Sequence, residues 1–218
     1  MFTHFLLSSF GGWDVSVASY ASKNFDVSAQ DTALRGIYFK EDGYTLYIVG
    51  SVSKKVFQYT LSTAWDVSTA IYASKSKNVS SEDTFPSAIF FKYDGSIMYL
   101  TGEGNKTIYQ YTLSTSWDIS TASYASKSFL VVTQDANPKG IYLKKDGSMI
   151  YVVGRNNAVI FQYSLSSQWD ISTASYTSKS FSVSSQDTVP TDIFFRPDGK
   201  IMYVSGETTN DSIYQYTL

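Results

Sequence analysis

The chain has 218 residues, no cysteine and a single histidine, and its formal net charge is −2. That length suits one all-β domain with a full core, and the lack of cysteine excludes a disulfide framework and thiolate chemistry. A near-neutral chain without a basic block leaves no phosphate footprint, so no nucleic-acid partner is expected. No apolar run approaches a membrane span.

Residues 1–12 read as an N-terminal arm. Phe5-Leu6-Leu7 is too short an apolar core for a signal peptide, and no basic segment precedes it. The only histidine, His4, lies in this arm, which argues against a Ser-His-Asp triad or a histidine-rich metal site.

From residue 13 onward one unit is written four times. Trp13, Trp65, Trp117 and Trp169 recur at a constant spacing of 52 residues. A period in this range marks a propeller, solenoid or array. The repeats run 13–64, 65–116, 117–168 and 169–218 and form a single domain, 13–218. Each unit opens on Trp-Asp and a polar, alternating stretch. Next come an acid-Asp or Gln-Asp pair, an apolar run centred on Ile37 or its equivalents, and Asp-Gly. A second run ends at Gly50 or its equivalents, and a third carries Phe/Tyr-Gln-Tyr.

The runs are short, rich in Val, Ile, Tyr, Phe and Thr, and bounded by turn residues, which predicts strands. In the second copy they fall at 70–79, 88–93, 96–102 and 106–113. Asp-Gly between two of them predicts a hairpin with a type I′ turn. Four antiparallel strands per unit describe a propeller blade. The expected fold is therefore an all-β, four-bladed β-propeller. Pairing the N-terminal outer strand, 17–27, with the C-terminal strand, 212–218, would close the ring and remove its exposed edges. The alternative is a piece of a larger ring, completed by a second copy.

The stretch from Pro190 to Gly206, Pro-x-x-Ile-Phe-Phe-x-x-Asp-Gly-x-x-Met-Tyr-Val-x-Gly, resembles the YVTN/NHL-type propeller repeat. The tail from Tyr109 to Thr121 is similar to repeats in uncharacterised phage and marine bacterial proteins. The resemblance implies a propeller and leaves function open, since this fold hosts many activities.

Two repeated sets of side chains are candidate sites. Asp31, Asp83, Asp135 and Asp187 precede the first strand of each blade and would ring one mouth of the axis, where four hard oxygens suit Ca²⁺ or another cation. The competing reading is an Asx turn in each copy. Trp13, Trp65, Trp117 and Trp169 with Asp14, Asp66, Asp118 and Asp170 offer an aromatic face and a carboxylate, a pairing that suits a sugar. The competing reading is a strand start packed on the next blade. The loops at 51–55, 103–107, 155–158 and 207–212 vary more than the rest and are where specificity would sit.

A symmetric set of acids does not give two carboxyl groups the different environments that catalysis needs. The sequence therefore predicts a protein that is not an enzyme. It is read as a recognition module for a glycan or protein partner, extracellular or virion-associated, requiring no cofactor, and monomeric or dimeric. The alternatives are a structural spacer and a metal-dependent propeller hydrolase or lactonase.

Overall fold

In a computed structural model, residues 19–208 and 212–218 are described. The N-terminal arm, His4, Trp13 and Asp14 lie outside them. The protein is an all-β, four-bladed β-propeller. The first blade comprises β1 (Leu34–Phe39), β2 (Thr45–Gly50), β3 (Lys55–Leu61) and β4 (Ala70–Asn78). The second comprises β5 (Pro86–Phe91), β6 (Ile97–Gly102), β7 (Thr107–Leu113) and β8 (Ala122–Leu130). The third comprises β9 (Pro138–Leu143), β10 (Met149–Gly154), β11 (Val159–Leu165) and β12 (Ala174–Ser182). The fourth comprises β13 (Pro190–Phe195), β14 (Ile201–Gly206) and β15 (Ser212–Thr217). Each sheet is antiparallel in sequential order.

The innermost strands pack in succession, β1 on β5, β5 on β9 and β9 on β13. The core lies between blades. β5 and β9 are buried along their whole length, so they carry no polar-apolar alternation. The outer strand β8 alternates, as a half-exposed strand should.

Two expectations are corrected. The Asp-Gly turns are not type I′. Gly43, Gly95, Gly147 and Gly199 have φ between 72 and 75°, but the preceding aspartates are not in the left-handed region. Gly43 N–H donates to the Lys40 carbonyl at 2.8 Å, and Tyr44 N–H donates to Asp42 Oδ1 at 3.0 Å. This is a type I turn closed by a left-handed glycine, the arrangement favoured by a four-residue loop. The second correction concerns the seam. Among the described residues the fourth sheet has three strands, and residues 19–27 form no strand. The ladder expected between 17–27 and 212–218 is not among the pairings of the described residues. Residues 23 and 25 nonetheless make the contacts that each outer strand makes with the blade after it. Lys23 Nζ is 2.6 Å from Asp66 Oδ2, and the Phe25 ring meets Tyr59 edge-on at 5.4 Å.

Candidate functional site

The four aspartates before the inner strands are turn clamps. Asp83 accepts from the amides of Phe85 (2.7 Å), Gly104 (3.1 Å) and Asn105 (2.9 Å). Asp135 accepts from Asn137 and Asn157, Asp31 from Ala33 and Ser53, and Asp187 from Val189 and Thr208. Each carboxylate thereby ties its own Asx turn to the loop between the second and third strands, so both lie on one face, as expected. Burial pushes the carboxyls of Asp31 and Asp187 up, but these donors outweigh it and hold both below the usual range. The clamp explains the glycine ending each second strand. A Cβ on Gly102 would stand 2.0 Å from the Asp83 carboxyl carbon. Among the described residues no three acidic or histidine side chains form a cluster that could hold a metal ion.

The Trp-Asp pairs fasten one blade to the next. Trp117 lies on Gly95, stacks on Phe91 at 5.7 Å and takes Lys40 Nζ over its ring at 5.7 Å. Tyr47 Oη donates to its carbonyl at 2.6 Å. Asp118 pairs with Lys75 of the preceding outer strand at 2.6 Å, and Gln58 Oε1 accepts from Ile119 N–H at 3.0 Å. The set recurs one repeat on, with Tyr99 to Trp169 at 2.7 Å, Lys127 to Asp170 at 2.7 Å and Gln110 to Ile171 at 2.9 Å. Trp117 and Trp169 thus spend their faces inside the protein. Trp65 is 58% exposed. Trp13 and Asp14 lie outside the described residues.

A cleft opens on the opposite face from the aspartate clamps. It encloses about 750 Å³, and all four hairpins between first and second strands contribute to it. Glu41 comes from the first, Tyr93 from the second, Lys144 and Lys145 from the third, and Arg196 and Asp198 from the fourth. Tyr142 supplies its floor, raised above the usual phenol range by burial and by its bond with Tyr93. Two cations there are already paired, Lys144 with Asp146 at 2.7 Å and Arg196 with Asp198 at 2.6 Å. Lys145 has no ion pair among the described residues. Its Nζ stands 5.3 Å from the Tyr93 ring centroid, held by cation–π attraction.

The cleft was legible only as an irregularity. In a nearly identical repeat, the residue before Asp-Gly is Glu41, Tyr93, Lys145 and Pro197. Attention to what repeats passes over the one position of the turn that changes every time.

A profile of lactonases with a seven-bladed β-propeller matches residues 86–218, more than half of the chain. No curated protein matches it. Among solved structures, it is similar to a proposed 6-phosphogluconolactonase from Bacteroides uniformis at 13% identity, with a TM-score of 0.57 over 79% of this chain and 47% of that one. A protein from Lactobacillus plantarum superposes at 19% identity, with a TM-score of 0.58 over 84% and 50%. The periplasmic gluconolactonase of Pseudomonas aeruginosa does so at 16%, with a TM-score of 0.51 over 79% and 47%. The chain spans about half the length of these structures. Such identities show the propeller fold alone, and they add nothing for the narrower likeness to YVTN/NHL or phage repeats. The expectation that the chain is not an enzyme is overturned, because the profile that matches more than half of the chain is one of lactonases, which are hydrolases.

Proposed function

Because the chain belongs to the family of lactonases with a seven-bladed β-propeller, we propose that it hydrolyses the ring ester of a sugar lactone in the cleft of the four hairpins. The family match over 86–218 carries this reading, and the side chains of the cleft support it. Tyr93 and Tyr142 give an aromatic wall to a sugar ring. Lys145 is the cation of the hairpins that has no ion pair among the described residues. It suits the oxygen that becomes negative when water attacks the carbonyl. Glu41 is the carboxylate of the cleft that no described cation neutralises, and it is the base in this scheme. It takes a proton from water, the resulting hydroxide adds to the carbonyl carbon, and the ring C–O bond breaks. The ring oxygen leaves with the proton, so that lactone plus water gives one hydroxy acid.

The test is acid release from glucono-δ-lactone, followed above its spontaneous rate, with Glu41→Gln and Lys145→Ala alongside. The expected result is measurable catalysis that falls by roughly 10²-fold or more in each variant. A native chain that does not exceed the spontaneous rate on this lactone or its 6-phosphate would end the proposal.

A further inference from the structure

The outer part of the cleft is a fourth copy of the socket that holds each tryptophan. Gly43, Gly95 and Gly147 carry Trp65, Trp117 and Trp169 against them, whereas no described atom lies within 4 Å of a Cβ built on Gly199. Around Gly199 the fastening groups stand 52 residues on from those of the filled socket. Tyr151 corresponds to Tyr99, Gln162 to Gln110 and Lys179 to Lys127, and all three line the cleft. Among the described residues, Lys179 has no ion pair and Gln162 Oε1 accepts no amide.

Both outer flanks of the protein are also open. On the first blade Ile37 is 55% exposed, although its equivalents Ile89, Ile141 and Ile193 are buried. On the fourth blade Ile213 is 59% exposed, although Ile108 and Ile160 are buried. In every internal junction these two kinds of surface meet each other.

We propose that a second copy of this chain fills the socket with its Trp13-Asp14-Val15 segment and lays its first blade on the fourth blade of its partner, reciprocally. Trp13 would lie on Gly199 and accept from Tyr151 Oη through its carbonyl, Asp14 would pair with Lys179, and Val15 N–H would donate to Gln162. The strand after Trp13 completes the fourth sheet by adding to the edge of β15. Three observations favour a second copy over closure within one chain. Among the described residues, 19–27 pair with no strand of the fourth sheet. The four blades superpose on about half the length of larger proteins, as part of a larger ring would. Head-to-tail contacts between two half rings close with twofold symmetry and leave no edge. The hairpin residues Glu41, Tyr93 and Lys145 stay uncovered, and the second copy walls their outer side. The proposal does not rest on lactone hydrolysis.

Light scattering on the full chain tests it. The expected mass is twice 24.3 kDa, falling to that of one chain in Trp13→Ala with an unchanged β-sheet circular dichroism spectrum. The chain has no cysteine, so Asp14→Cys with Lys179→Cys and a short bis-maleimide reports the contact directly. A covalent dimer is expected. A single-chain mass for the native protein, a dimer indifferent to Trp13→Ala, or a cross-link confined to one chain would each overturn the proposal.

Discussion

Asp118 uses its two carboxylate oxygens for different tasks. Oδ1 accepts from the Ser120 amide (3.1 Å) and hydroxyl (2.6 Å), capping the short turn at Ile119–Thr121, while Oδ2 takes Lys75 from the neighbouring blade. Lys75 and then Ser120 hold its carboxyl below the usual range. A cap of this kind is worth about 1 kcal/mol, whereas a partly exposed ion pair contributes about 0.2–1 kcal/mol. Asp118→Ala is therefore expected to lower stability by about 1–2 kcal/mol in urea, and Lys75→Ala by less than about 1 kcal/mol. Equal losses would show that the cap contributes nothing of its own. The Trp-Asp pair was legible in the sequence as a repeated unit with two readings. Choosing between them needed Lys75, Gln58 and Tyr47, which lie 43 to 70 residues away and belong to another blade. The cleft residues were less legible still, because Glu41, Tyr93 and Lys145 share a position in the turn and no chemical type.

At the scale of the strand, period and composition placed nearly everything. The expected strands 96–102 and 106–113 differ from β6 and β7 by one residue at their starts. The expected 88–93 is shifted from Pro86–Phe91. Proline reads as punctuation, yet as the first residue of a strand it loses no ladder bond. Lys92 and Tyr93, which follow the apolar run directly, belong to the turn. Turn type was misread because Asp-Gly fits both a two-residue and a four-residue hairpin, and loop length decides between them. The end of each second strand supplies a prediction at this scale. Gly102→Ala drives a methyl into the Asp83 carboxylate, which cannot move without releasing three amides. The expected cost is roughly 1–3 kcal/mol or somewhat more, read as a lower urea midpoint at unchanged slope. A midpoint equal to the parent's would mean that the clamp yields freely.

For the whole molecule, the balance of carboxylates sets an optimum in pH. Burial pushes the Asp94 carboxyl up, but Lys92 and the Ser96 hydroxyl and amide outweigh it and hold it at about 2. Lys144 and Ser148 hold Asp146 at about 2 as well. A carboxyl depressed in the folded state contributes stability above its ordinary value of 3.8, and that contribution is lost as pH falls from there towards 2. Asp192, on β13 at the open end of the row of inner strands, works in the opposite direction. The protein mass around it desolvates the carboxyl and raises it to about 6, although its outer edge stays open to solvent. Its proton is held more tightly by the folded chain, so stability rises as pH falls from about 6 to 3.8. The thermal midpoint should therefore peak between these values, decline steeply on the acid side and fall more gently on the neutral side, where solvent screening tempers the effect. Asp192→Asn removes the neutral-side decline and leaves the acid limb in place. Scanning calorimetry from pH 2 to pH 8 on both proteins checks this, and parallel curves would show that Asp192 ionises without cost. Closure by a second copy would bury Asp192 further, so the neutral-side decline should steepen with protein concentration.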